Sequence, residues 1–288
     1  MSNSKKPHIY FIGIGASRCA TNWIAKCLGE HPEIYMAYPN ELSFFSHPKK
    51  GKSNYELEGI EGYYKRFAKS CGKKAGEFSP TYFYDPSVAE ILKKHFPNIK
   101  IIASLRNPIS RYSSEKTYFK NFQFLDKDRR ELIERSKYYE SLLKYYNIFG
   151  KDNIKVIIMD DINKNPLKVI QELYSFLNVR NDFSPPSINT KTNEVSKAKY
   201  KELEKYRQGA SKIAEFFKKR NLNSVVNILR KLGVNKLSWK IWEKNRTKIN
   251  KENMSLEEKR SLLQEFMEDI TKTEKLLNRD LSKWKKIE

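Results

Sequence analysis

Apolar residues return along the first two thirds of the chain in two alternating modes: short continuous runs, and longer stretches where they recur every three or four positions. His8-Ile9-Tyr10-Phe11-Ile12-Gly13 is a run of the first kind. It predicts a buried parallel strand, with Gly13 and Gly15 opening a loop behind it. Thr21 then begins a helical pattern in which Trp23, Ile24, Cys27 and Leu28 share a face, and Gly29 followed by His31-Pro32 stops it. The same alternation predicts a helix over 88–96, a buried strand over 100–105, a helix from 109, a strand over 154–159 and a helix over 166–177. Strands separated by helices of this length need right-handed crossovers. The expected fold class is therefore α/β, a central parallel sheet flanked by helices, with ligands at the C-terminal ends of the strands.

Residues 180–199 turn to Pro, Ser, Asn, Thr and Lys with weak periodicity and read as a long loop. Beyond Tyr200 the pattern is helical and basic, with helices expected over 201–219, 223–232 and 255–277. With 288 residues, 39% of them hydrophobic, the chain is long enough for one sizeable core. A single domain over 1–288 is expected, with a flexible N-terminus over 1–7 and a mainly helical C-terminal extension over 200–288.

The formal charge of +22 changes the picture only by favouring anionic partners such as nucleotides, sulfated glycans, nucleic acid or acidic lipid. Solvated lysine-rich helix faces account for much of it. Cys19, Cys27 and Cys71 are unevenly spaced without a C-x-x-C pair or clustered histidines, which points away from a disulfide framework or a metal site and toward a reducing compartment. The first apolar stretch is far shorter than a membrane span and has no cleavage site behind it, so a soluble, cytoplasmic protein is expected.

Two constellations carry chemistry. Ser17-Arg18-Cys19-Ala20-Thr21-Asn22-Trp23 lies between the first strand and first helix, where backbone N–H groups and the helix dipole favour a phosphate. A tight turn capped by Thr21 is the competing reading. The loop is not a Walker A motif, because Ala20 and Thr21 stand where Gly-Lys is needed; this disfavours a P-loop kinase. In Leu105-Arg106-Asn107-Pro108-Ile109-Ser110-Arg111-Tyr112-Ser113-Ser114, Arg106 ends a strand and Ser114 lies two helical turns on. An arginine and a hydroxyl converging there suit a phosphate monoester, and a helix-capping arginine is the plain alternative.

The pairing of these two motifs resembles the cofactor signatures of the sulfotransferases that use 3′-phosphoadenosine 5′-phosphosulfate (PAPS), closest in motif to the glycan (heparan-type) and bacterial branches. The resemblance implies a P-loop-like sulfotransferase fold. It places the 5′-phosphosulfate on Ser17, Arg18, Cys19, Ala20, Thr21 and Asn22, adenine against Trp23, and the 3′-phosphate on Arg106 and Ser114. Arg18 stands for the usual lysine and Ala20 for a common glycine. Pro39-Asn40-Glu41-Leu42-Ser43-Phe44-Phe45 resembles the glycan branch's (K/N)-E-x-x-F-F element, which makes Glu41 the general base. Glu77-Phe78-Ser79-Pro80-Thr81-Tyr82-Phe83 resembles its E-K-T-P-x-Y-F element, with Phe78 in place of lysine; Glu77 and Tyr82 are expected at the acceptor, with Glu77 as the backup base and a structural hydrogen-bonding role as its alternative. Asn189, Lys191, Ser196 and Lys197 resemble the late segment that closes over the nucleotide, Lys197 being the contact assigned. No metal is implied.

The implied reaction is sulfuryl transfer to an acceptor hydroxyl, with a carbohydrate favoured. Two rivals stay open. The acceptor is a small alcohol, phenol or amine in a pocket lined by Tyr63-Tyr64, Tyr138-Tyr139 and Tyr145-Tyr146; or the chain is a non-enzymatic binder of nucleic acid or polyanions through its basic C-terminal helices.

Overall fold

The computed structural model of the chain describes residues 6–39, 41–47, 51–120, 128–190 and 254–287 in full, together with the backbone of 121–122, 196–198 and 246–248. Five strands, β1 (Ile9–Gly15), β2 (Ile34–Met36), β3 (Lys74–Phe78), β4 (Lys100–Leu105) and β5 (Ile154–Ile158), form one sheet in the order β2-β3-β1-β4-β5. Every pair is parallel, as alternating strands and helices require. Gly15 pairs with Ala103, Gly13 with Phe78 and Leu105 with Ile158, so all five strands run out along one edge. From β1 the chain builds β2 and β3 on one side, then crosses to β4 on the other. The switch point between β1 and β4 is where such sheets bind ligands.

Among the described residues the helices are α1 (Thr21–Gly29), α2 (Asn54–Lys65), α3 (Val88–His95), α4 (Pro108–Phe122), α5 (Arg129–Glu134), α6 (Tyr139–Phe149), α7 (Met159–Lys164), α8 (Pro166–Phe176) and α9 (Leu256–Leu277). Trp23, Ile24 and Leu28 of α1 meet Ile170, Leu173 and Tyr174 of α8 over Phe11, Ile102 and Ile157 of the sheet. This layer has the apolar spacing read from the sequence. Elsewhere α6 packs on β5 and contacts α3 and α9.

Among the described residues the expected elements are present within a residue or two, except that residues 196–198 of the expected loop are a strand. Further elements were not expected: α5, α6 and α7, and three that carry no apolar period, β2 with three residues, β3 reading Lys-Ala-Gly-Glu-Phe, and α2, which contains Gly59 in a non-helical conformation. A signal for α2 was nonetheless written locally, because Ser53 and Glu56 form a reciprocal capping box. The helices expected over 201–219 and 223–232 lie outside the described residues.

By contact density the chain falls into two compact units. The first comprises Met1–Lys116, Lys127–Asn193 and Asn253–Glu288 and carries the parallel sheet. The second comprises Thr117–Asp126 and Glu194–Glu252; its described elements are the end of α4 and an antiparallel ribbon of β6 (Ser196–Ala198) and β7 (Arg246–Lys248). Among the described residues no helix is long and apolar enough to cross a membrane.

Candidate active site

Where β1 ends, Gly15 has φ 132 and the Ala16 N–H donates to the Ser104 carbonyl of β4 at 2.8 Å. The Ser104 hydroxyl donates back to the Cys19 carbonyl at 2.6 Å, stitching the loop over the switch point. Arg18 and Ala20 both take left-handed backbone, φ 68 and 63. Ala20 is the N-cap of α1 and no side chain caps the helix, so Thr21 does not fill the capping role. The first N–H groups of a helix have no intrahelical acceptor, and here they face the loop with the positive end of the dipole.

Arg18 Nε donates to the Ser114 hydroxyl at 3.2 Å, joining the first motif to the second. Within the second motif, the Asn107 side chain accepts from the Ser110 N–H at 3.1 Å and Pro108 begins α4, so Arg106 is left at the strand end. Its carbonyl accepts from the Tyr138 hydroxyl at 2.7 Å. Burial pushes the Cys19 thiol up to about 11, against the lowering influence of Arg111 and Arg106, so both cations act at the loop.

Glu41 follows β2 along the same edge. The backbone behind it is pinned: the Leu42 N–H donates to Glu77 Oε2 at 3.3 Å, that of Ser43 to the Ser79 hydroxyl at 2.8 Å and that of Phe44 to the Tyr82 hydroxyl at 2.9 Å. Glu41 reaches solvent, while the protein around it raises its carboxyl above the ordinary range; Arg18 opposes that rise. The arrangement thus gathers an elevated carboxylate, a guanidinium, a helix N-terminus and a hydroxyl along the strand-end edge of the sheet. Such a set can accept a proton and hold an anion.

Several expected contacts are placed differently. Glu77 and Tyr82 are both 0% exposed, and Glu77 accepts from Tyr82, Tyr63 and Ser79 at 2.7, 3.0 and 2.6 Å. The pair therefore lies out of an acceptor's reach and anchors the Glu41 segment from below. Trp23 is buried in the core, and its indole N–H donates to the Ile188 carbonyl at 3.3 Å; the ring offers no open face to an adenine. Tyr63, Tyr138 and Tyr145, one of each expected tyrosine pair, are buried and donate to Glu77 and to the carbonyls of Arg106 and Tyr82. Phe78, which stands at the motif's lysine position, packs its ring over Gly13, where an added Cβ would meet it at 2.2 Å. Asn22 and Asn189 are exposed. Lys197 lies in β6; its side chain, like Lys191, is outside the described residues.

The sequence reading left Arg111, Glu115, Arg135 and Tyr84 unassigned. Arg111, 0% exposed, pairs with Glu115, which also accepts from Arg135 Nε at 3.0 Å. An Arg–Glu pair four residues apart on a helix was visible in the sequence, but its burial was not.

The family described as sulfotransferase domain matches residues 11–231. The bifunctional heparan sulfate N-deacetylase/N-sulfotransferase 1 of Caenorhabditis briggsae is 28% identical over 209 residues, covering 62% of this chain and 24% of that protein. Heparan sulfate glucosamine 3-O-sulfotransferase 5 of Mus musculus is 27% identical over 197 residues, covering 61% of this chain and 54% of that protein. The chain thus spans only part of the length of these relatives. A sulfotransferase from Alicyclobacillus acidocaldarius shares the fold, with a TM-score of 0.68 at 20% identity, covering 97% of this chain and 100% of that one. Since the matched span includes both strand-end motifs and most of the parallel sheet, this chain belongs to the sulfotransferase family of enzymes.

Proposed function

We propose that this chain transfers a sulfuryl group from PAPS to an acceptor hydroxyl on a carbohydrate, with Glu41 as general base. One observation carries the reading: Arg18 of the first motif bonds Ser114 of the second at 3.2 Å, at the switch point and within the electrostatic reach of Glu41. The carbohydrate acceptor is supported by the two heparan sulfate sulfotransferases among the relatives.

The residues suit a nucleotide with an anion at each end. An uncapped helix N-terminus and Arg18 suit a 5′-phosphosulfate, and Arg106 and Ser114 of the second motif are assigned the 3′-phosphate on the chemistry of a guanidinium and a hydroxyl. When bound, PAPS supplies the activated sulfuryl group. The chain's own residues do the rest. Glu41 takes the acceptor's proton, an effect worth about 10²–10⁴ in rate. Arg18 and the N–H groups of the loop offer positive charge where negative charge develops. The elevated carboxyl of Glu41 makes it a stronger base than an ordinary surface glutamate.

Titration with 3′-phosphoadenosine 5′-phosphate (PAP) tests the nucleotide site: binding is expected, and Arg106→Ala is expected to weaken it by roughly ten- to a hundredfold, the range for a charge-assisted bond. A screen with sulfur-labelled PAPS against hexosamine oligosaccharides, phenols and amines tests the acceptor. Label only in a phenol would overturn the carbohydrate reading, and no PAP binding would overturn the enzymatic one.

A further inference from the structure

Ser17 directly precedes Arg18, and each of its polar groups is held by a different segment. Its N–H donates to the Tyr84 hydroxyl at 3.1 Å, its carbonyl accepts from Arg111 Nε at 3.2 Å and its hydroxyl accepts from Arg135 Nη2 at 3.4 Å. Tyr84 follows the 3-10 turn Pro80–Phe83 at the end of β3, Arg111 is in α4 and Arg135 is the C-cap of α5. The three are also joined to one another. The guanidinium carbons of Arg135 and Arg111 lie 4.1 and 5.5 Å from the Tyr84 ring centroid, and Glu115 pairs with both arginines. Arg111 further donates to Ser136 at 2.7 Å.

An Arg–Glu–Arg cluster in which Arg111 and Glu115 are buried and Arg135 is half-buried is a poor source of net stability, because desolvation consumes most of its attraction. What the cluster does offer is directional bonds that hold one backbone conformation. The loop needs such bonds: Arg18 and Ala20 adopt left-handed φ values disfavoured for residues with a Cβ, and strained backbone persists only where its surroundings over-determine it.

We infer that Tyr84 and Arg135 are positioning residues of the transfer site, acting through Ser17 to hold the loop conformation that aims Arg18 at Ser114. The inference rests on the proposed PAPS site and adds residues that touch neither nucleotide nor acceptor. It predicts a selective defect. Loosening Ser17 disorders the anion loop and leaves the Glu41 segment, anchored separately on Glu77 and Tyr82, in place.

The experiment compares wild type with Tyr84→Phe, which deletes one oxygen and keeps the ring, and Arg135→Met, which keeps most of the side-chain length. For each, PAP affinity is measured by calorimetry, the KM for PAPS and for acceptor by transfer kinetics, and the melting temperature by circular dichroism. Both variants are expected to weaken PAP and raise the KM for PAPS roughly five- to tenfold, as loss of one net hydrogen bond does, with the acceptor KM changed less than about twofold. Folded variants with a lower melting temperature but wild-type PAP affinity would reduce both residues to scaffolding and overturn the inference. Wild type failing to bind PAP would instead overturn the proposed function, and the inference with it.

Discussion

Replacing Glu77 with leucine preserves bulk and removes the acceptor for four donors. Tyr63 and Tyr82 converge on Oε1 at 3.0 and 2.7 Å, and Ser79 and the Leu42 N–H on Oε2 at 2.6 and 3.3 Å. Tyr63, Tyr82 and Ser79 are 0% exposed, so water cannot take over. Each orphaned buried donor costs about 1–3 kcal/mol, and hydroxyls that swing aside fall at the low end. Relief of the buried carboxylate's desolvation offsets part, leaving a net loss of about 3 kcal/mol out of a total stability of about 5–15 kcal/mol. Urea unfolding followed by tryptophan fluorescence measures it. Glu77→Gln, which keeps the shape and one acceptor oxygen, is expected to lose only about 1 kcal/mol. Burial raises the Glu77 carboxyl above its ordinary range, against the pull of Ser79, Tyr82, Tyr63 and the Leu42 N–H. The folded chain therefore binds that proton more tightly than the unfolded chain. The group's contribution is full below the ordinary glutamate range and declines as pH rises through the elevated value. Glutamine has no such dependence, so its deficit against wild type shrinks as pH rises. A leucine variant within about 1 kcal/mol of wild type, or a glutamine deficit that grows with pH, refutes the reasoning.

Glu41→Gln is expected to bind PAP like wild type while losing about 10²–10⁴ in transfer rate, and normal turnover by the folded variant removes Glu41 as base. In the wild type, transfer should rise with pH as Glu41 deprotonates, over a range displaced upward from an ordinary glutamate because the protein packed around its carboxyl strips part of its water even though the residue keeps an exposed edge. Arg18→Met removes the charge that opposes this rise, so in a pH–rate profile the acid limb should move to higher pH, alongside weaker PAP binding.

Legibility followed the range of the interactions. β1, α1, β4, β5, α8 and α9 were readable because periodicity and caps are written within a few residues; Ser255, for example, caps α9 by accepting the Glu258 N–H. β3 was not, because Lys74, Gly76 and Glu77 carry no strand period and the strand owes its place to β1 on one side and β2 on the other. Arg111 stood within the quoted motif without a role, since only its burial under Tyr84 and its bond to Ser17 give it one.

By itself the sequence determined the βα alternation, hence a parallel sheet, and the chemistry of two strand-end motifs, since these depend on residue type and spacing along the chain. Tertiary structure alone decided which polar groups stand at the strand-end edge and which sit beneath it. Arg18 meets Ser114 across 96 positions, whereas Glu77 and Tyr82, despite their motif, are turned inward to hold the Glu41 backbone. The physical reason is that burial and pairing belong to the packing of elements distant in sequence, where a carboxylate ringed by hydroxyls becomes an anchor while one at the rim keeps contact with water.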